Sequence, residues 1–421
     1  MVQFVGAINK SIPVDSRSQN LVLNWCVFII SPILGTLFAI PMVRRRKYAY
    51  TYILGAAFAV FGAFLPPTSD AYRYRIEMLS ATTLDIDFDT LWITNKDFLY
   101  WVLSYIFNQF NSTFEVFKLV LFIGCYSLYI WMYHDIVKQV DVLRKSRKFY
   151  LLGLVGILFS IRLFTLAVGI RFGLASTIVT IAMYLLHKHE LVKGLLLYIV
   201  SATLHFSMLM FAPCIIMAVL LKRITLARYV KFAIIVGLIV FSSSAIGTIL
   251  TSLLGDNELV TRNVDAYVNG KWGTESIMST ASFGGLMFSL LRILPVLPLT
   301  WFETTKSKSF ISNLGFMLVL VLCISFSSIT LLLRYSNVTT AILFVSFLLS
   351  LKDSRKCLNR LKLVTYGFIM VFFVYVYSQR DILANSHLEY MVMISPISLL
   401  EEHTYTESWI QQNIDSEGEL K

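Results

Sequence analysis

The sequence predicts an all-α, polytopic integral membrane protein with about 12 transmembrane helices, two of them forming a short helical hairpin. Three observations carry this expectation. Of 421 residues, 57% are hydrophobic and only 14% are charged, against about 25% charged in a soluble domain. Apolar stretches near the ~20 residues that cross a bilayer recur along the whole chain. Lys and Arg gather in short loops that can all be placed on one side of a membrane.

The expected spans are roughly 21–43, 48–66, 114–133, 149–168, 170–186, 231–254, 276–302, 310–333, 335–351 and 362–378. The segment 194–221 fits one ordinary span or two short ones. The basic loops decide between them: "RRRK" at 44–47, then 134–148, 187–193, 221–231, 303–309 and 352–362. All fall on one side only if 194–221 crosses twice, turning near His205–Phe206. Both termini then lie outside. The inside loops hold 22 basic and 5 acidic residues, the remainder 14 and 20, as positive-inside topology requires. Topology thus accounts for the net charge of +11, and no nucleic-acid partner is expected.

The chain reads as one transmembrane domain, 1–421, with exterior segments 67–113, 255–275 and 379–421. Within the first, "DFLYWVLSYIFNQF" predicts a helix lying along the interface. The first apolar run is long enough to remain as a membrane helix, so no cleaved signal is expected. No cysteine falls in an exterior segment, so no structural disulfide is expected. P-loop, dinucleotide-type Gly-rich, HExxH and CxxC patterns are absent from the sequence, and an ATP-driven pump is disfavoured.

Charges inside apolar runs are the first functional candidates. Arg162 lies in "LVGILFSIRLF" and Arg171 in "LFTLAVGIRFGLAST". From Val142 to Gly255 the only carboxylate is Glu190, which topology places at the opposite side. No local carboxylate balances the two arginines. Snorkelling to the headgroups is one reading; capture of a phosphate by the planar guanidinium fork is the other. A phosphate-bearing ligand is then the expected partner. Gly169 and Gly173 flank Arg171 and permit a bend or a close approach. Arg292, in "SLLRILPVLPL", and Arg334, at an expected outer turn in "ITLLLRYSNVTT", are further candidates.

His205 and Ser207 sit at the hairpin tip in "SATLHFSMLM". The imidazole can move a proton or simply bond a carbonyl. "PPTSDAYRYRIEM" puts Asp70, Tyr74 and Glu77 on one side of a helix, with Arg73 and Arg75 among them; helix capping is the plainer role for Asp70. In "TLDIDFDT", Asp85, Asp87 and Asp89 would face one way if extended, and a solvated loop is the plainer reading than a metal site. Asp265 and Tyr267 lie in the second exterior loop and could touch a polar substrate.

The ordered set of these features resembles the EpsG-like family of Wzy-type bacterial polysaccharide polymerases. Asp70 followed by Tyr74, then Arg171 with Ala175, then Ala202, His205 and Ser207, and later Arg334–Tyr335 carry the resemblance, from about residue 50 to 350. The glycine that often precedes the family's Asp is replaced here by Ser69. The resemblance implies a GT-C-like polymerase/ligase architecture in the bacterial inner membrane, with an active site facing the periplasm. The implied activity is metal- and cofactor-independent. It transfers a growing glycan from undecaprenyl pyrophosphate to a lipid-linked repeat unit, as in O-antigen or related surface polysaccharides. Expected partners are that lipid-linked oligosaccharide, the bilayer and a chain-length regulator protein. On this reading Arg162, Arg171 and Arg334 hold pyrophosphate, with Arg292, Arg73, Arg75, Tyr74, Asp265 and Tyr267 as further substrate contacts. His205, Asp70 or Glu77 is the base, in that order of preference, and Tyr72 and Trp272 suit sugar faces. A lipid-linked oligosaccharide flippase and an O-antigen ligase are the competing readings.

Overall fold

A computed structural model describes residues 16–81, 97–221, 230–238, 291–303, 309–325, 329–387, 405–416 and 418–421. Asp85, Asp87, Asp89, Asp265, Tyr267 and Trp272 lie outside the described residues, as do most of the expected spans 231–254 and 276–302. The described residues are helical and contain no strand; one isolated bridge joins Ile414 and Leu420. Five helices among them are long and apolar enough to cross a membrane, and several shorter apolar helices accompany them.

The chain opens with α1 (Ser16–Ile30) and α2 (Pro32–Arg44). The expected single span 21–43 is corrected here to two helices that break at Ser31. Pro32 starts α2 without needing an N–H, and Ser31 Oγ accepts from Leu34 N. Asn24 Nδ2 reaches Gly35 O at 3.4 Å across the bend.

Next come α3 (Thr51–Ala63), α4 (Asp70–Ser80), α5 (Phe98–Gln109), α6 (Phe114–Gln139) and α7 (Asp141–Lys145). α4 and α5 fall within segment 67–113, and a helix stands where "DFLYWVLSYIFNQF" predicts one. The long α6 packs on α3 through buried Phe117, Phe122, Tyr126 and Ile130. Lys118 Nζ of α6 donates to Leu65 O at 2.6 Å and so holds the strand of chain that leads into α4.

The expected span 149–168 matches Arg147–Val168, long and apolar enough to cross a membrane; within it α8 (Arg147–Ser160) gives way to α9 (Leu163–Val168) through an extended Ile161–Arg162 step. Gly169 ends α9, and α10 (Ile170–His187) follows. α9 and α10 approach so closely that a Cβ on Gly173 would sit 2.8 Å from the Leu166 Cα. α10 is the central helix, packed on α6 and on α11 (Leu191–Leu204). At the basic end, Asp135 Oδ2 accepts from Lys188 Nζ at 2.8 Å and Tyr184 OH at 2.7 Å, joining α6 to α10.

The helix breaks at His205, where the hairpin turn was expected, and the two legs pack on different neighbours. α11 ends at Leu204, His205 is extended, and a 3-10 turn, Phe206–Met210, leads into α12 (Phe211–Leu220). Tyr198 OH donates to Met208 O at 3.0 Å, folding the turn back on α11. With 14 and 10 residues, the legs are about 21 and 15 Å long, each short of the ~30 Å hydrocarbon core.

The remaining described helices are α13 (Val296–Glu303), α14 (Phe310–Ile324), α15 (Ile329–Leu349), α16 (Arg355–Ser378), α17 (Arg380–Ala384) and α18 (Glu407–Asn413). Arg334 was expected at a turn and is instead in the second turn of α15. Large apolar side chains such as Val22, Leu196, Ile199, Val219 and Phe373 are exposed on α1, α11, α12 and α16. A bilayer would solvate that surface.

Candidate functional site

α10 places the site. Its last turn adjoins the basic segment 187–193, so its first turn, with Arg171, lies at the opposite end of the bundle. At that end a cavity of about 250 Å³ is lined by Asp70, Tyr74, His205, Arg292, Arg334 and Tyr375, among others. Five of these six were singled out in the sequence, and they come from positions as far apart as 70 and 375.

Arg171 stands beside the cavity, and its surroundings correct the expectation of an unbalanced charge. Nη2 lies 3.4 Å from Glu77 Oε1, and Nη1 lies 3.4 Å from Asp97 Oδ2. The guanidinium stacks over Tyr74, 4.3 Å from the ring centroid, with Tyr100 at 5.4 Å. The counter-ions are carboxylates of segment 67–113, far away in sequence. Burial raises the Glu77 carboxyl above its ordinary value more than Arg171 lowers it. Burial likewise raises the Tyr74 and Tyr100 phenols, so both stay neutral.

Asp97 is the residue that sequence reasoning missed. It precedes α5, where an Asp reads as a cap, yet its side chain makes no cap. Oδ1 accepts from Phe206 N at 3.0 Å and lies 3.9 Å from His205 Nδ1. Asp97 therefore ties Arg171 to the hairpin tip.

His205 Nδ1 accepts from Ser207 N at 3.3 Å and lies 3.1 Å from Ser207 Oγ. Its lone pair is thus engaged, and in the neutral ring the proton sits on Nε2. A neutral His205 offers the cavity a donor. Phe172 packs edge-on against the ring at 5.5 Å.

Asp70, at the start of α4, accepts from Arg73 Nη2 at 2.5 Å and lies 3.6 Å from Arg334 Nη2. Ser69, just before it, has φ 53° and makes no side-chain cap. This positive-φ conformation is one a glycine adopts freely, and here Ser69 adopts it where the resemblance leads one to expect glycine. Arg73 is largely exposed, and Arg75 points away from the cavity, buried against Glu407 Oε1 at 2.6 Å. Neither lines the cavity.

Arg162 is buried rather than snorkelling. Nη1 donates to Ser336 Oγ at 2.7 Å, while Nη2 has no hydrogen-bond partner among the described residues. It borders a small polar cavity of about 20 Å³ that Asn337 also lines, room for about one water. Arg292 stacks on Tyr375, 4.4 Å from its centroid, and Nη2 donates to Ser378 Oγ at 3.0 Å. Among the described residues, neither Arg162 nor Arg292 has a carboxylate within ion-pair distance. Thr165 Oγ1 donates to the Tyr375 hydroxyl at 3.4 Å, and Phe164 stacks on its ring at 6.2 Å. Tyr375 was not foreseen, because one Tyr in "VFFVYVYS" looks like any other apolar-run aromatic.

The fold and the cavity define an all-helical membrane protein with a polar, arginine-bearing site at the end away from its basic loops. The EpsG family model matches residues 47–391, and the chain belongs to that family of polysaccharide-polymerase-like membrane proteins. No curated protein and no solved structure matches it.

Proposed function

We propose that the protein is a glycosyltransferase that polymerises undecaprenyl-pyrophosphate-linked repeat units at the periplasmic face of the bacterial inner membrane. One observation supports this above the rest. The cavity presents Arg292, a guanidinium with no carboxylate partner among the described residues, within the same lining as the Asp70 carboxylate. A half-buried guanidinium held by a hydroxyl and a ring, with no carboxylate to neutralise it, suits an anionic ligand that arrives later. At about 250 Å³ the cavity is slightly below the ~300–1,000 Å³ of ligand pockets. It has room for a pyrophosphate-linked sugar end, with the rest of the glycan and the lipid outside.

In this reading the acceptor hydroxyl attacks the anomeric carbon of the donor sugar. The new C–O bond forms as the bond to pyrophosphate breaks, and the hydroxyl proton passes to Asp70. Arg292, with Arg334, stabilises the charge growing on the leaving pyrophosphate. The Nε2–H of His205 donates to a substrate oxygen. This order replaces His205 by Asp70 as the favoured base, because the His205 Nδ1 lone pair is already engaged. Glu77 does not line the cavity, whereas Asp70 does. Arg171 becomes the residue that holds the site together, and Arg162 supports it from the layer beneath.

The test is purified protein in liposomes with synthetic lipid-linked repeat unit. Polymer ladders are expected, and Arg292→Ala should lower their formation by about 10²–10³-fold. Lipid movement without new glycosidic bonds would mean a flippase. Product only after lipid A core is added would mean a ligase.

A further inference from the structure

Beyond the cavity, the chain's last described segment makes a set of contacts that the reaction does not use. α18 and the hairpin after it pack into a small cluster of Tyr405, Ile410 and Ile414, with Tyr72 of α4 and Trp409 against it. The segment begins at residue 405, beyond residue 391, where the family match ends. It touches α4 at both ends of its first two turns. Ser69 N donates to Gly418 O at 2.6 Å, and Ser69 Oγ donates to Glu419 Oε1 at 2.8 Å. The buried Arg75 pairs with Glu407 Oε1 at 2.6 Å and reaches Tyr405 O at 3.4 Å. Tyr405, fully buried, donates its hydroxyl to Phe64 O at 2.6 Å, at the entry to the same turn.

The backbone at this junction is demanding on both sides. Ser69 sits at φ 53°, where a side chain is disfavoured by about 1–2 kcal/mol. Such a residue persists when its surroundings over-determine it, and both its amide and its hydroxyl are held by the tail. Gly418 sits at φ 89°, and a Cβ there would lie 2.9 Å from Ser69 O and 3.2 Å from Ser69 N. Only glycine lets the two backbones meet this closely.

We propose that residues 405–421 are a positioning brace for the catalytic helix. By holding Ser69 in its left-handed turn, the tail sets the direction in which α4 leaves the turn. It thereby fixes where Asp70 and Tyr74 stand in the cavity. Gly418, Glu419, Glu407 and Tyr405 are positioning residues; none of them lines the cavity. The brace rests on the polymerase reading only for its catalytic consequence, since the contacts are independent of it.

The experiment compares the full-length wild type with Gly418→Ala and, separately, Tyr405→Phe. Amide hydrogen exchange over residues 69–80 is measured without substrate, with α6 as the internal control for an intact fold. In Gly418→Ala, exchange at Ser69, Ala71 and Tyr72 should rise about tenfold while α6 is unchanged. In the liposome assay kcat should fall about 10- to 100-fold, with KM for the lipid-linked unit within about twofold. Tyr405→Phe, which keeps the ring and loses one hydrogen bond, should show the same pattern more weakly. Faster exchange with unchanged kcat would overturn the positioning role, and unchanged exchange in both variants would overturn the brace itself. A wild type that forms no polymer, with exchange still raised in Gly418→Ala, would refute the polymerase reading and support the brace.

Discussion

Replacing Arg171 separates a structural hub from an anion clamp. Each of its two carboxylates lies 3.4 Å away, a gross attraction of about 5 kcal/mol per pair at an effective dielectric near 20. Most of that is offset by desolvation, so exposure decides what remains. The Asp97 side chain is 16% exposed and Glu77 is 46% exposed. Breaking a buried pair costs about 3–5 kcal/mol, because a charge is left uncompensated. Breaking an exposed one costs about 0–1 kcal/mol. The Asp97 pair is part-exposed and Asp97 keeps the Phe206 amide, so Arg171→Ala should destabilise the protein by about 1–3 kcal/mol, most of it through Asp97. Adding Asp97→Asn to Arg171→Ala removes the stranded charge, and the amide oxygen can still accept from Phe206 N. The double variant should recover about half of the loss. Arg171→Lys should fall between, since one ammonium cannot fork between two carboxylates. The assay is denaturation of the detergent-solubilised variants followed by circular dichroism, with polymerisation measured where all are folded. If Arg171→Ala unfolds like the wild type yet makes no polymer, Arg171 binds the substrate anion and the hub argument fails.

Three further outcomes follow from the same geometry. Glu77 is raised from its ordinary 4.5, by burial before any other cause. A carboxyl so raised adds stability below its unfolded value and loses it as pH climbs through the folded value. Glu77→Gln should match the wild type at about pH 4 and gain on it towards about pH 7 in melting experiments; a deficit that grows with pH would show that the Arg171 pair dominates instead. Gly173→Ala places a Cβ 2.8 Å from the Leu166 Cα, and since backbone cannot swing aside it should cost about 1–3 kcal/mol in the same denaturation assay. His205→Gln keeps an N–H donor and should retain polymerisation within about tenfold, whereas loss of a general base would cost about 10²–10⁴-fold.

Much of the helix pattern and the cavity's charged side chains, with its histidine, were legible in the sequence, for a physical reason. Polar and charged side chains are rare in apolar runs, so Arg171, His205, Arg292 and Arg334 stood out against their neighbours. Asp70 and Tyr74 stood out by their spacing on a helix. The partners did not stand out. Asp97 sits where caps sit, and Tyr375 sits in a run of aromatics; what distinguishes them is a contact across more than 70 residues of chain. The breaks at Ser31 and Ile161–Arg162 were hidden because hydropathy averages over them: the runs stay apolar although the backbone turns. The tail was legible only as an acid-rich exterior segment, since nothing local in it announces that Gly418 must meet Ser69.

The four intrabundle arginines divide by what faces them, and the division argues for how the site works. Arg171 and Arg334 each meet carboxylates from the first exterior segment. Such pairs cost desolvation and return geometric definition: through Arg171, α4, α10, the start of α5 and the hairpin tip are held in one arrangement. Arg162 and Arg292 face Tyr375 and hydroxyls rather than carboxylates. In a folded chain without substrate, that is the unfavourable half of an interaction. A site that must stabilise charge appearing on a leaving group needs donors already desolvated and fixed before that charge forms. Arg171, paired twice, supplies the rigidity, and Arg292, with no carboxylate among the described residues, leads the stabilisation, with Arg334 beside it. Exchanging the roles would fail: a clamp neutralised by Asp97 and Glu77 would have little field left for a pyrophosphate.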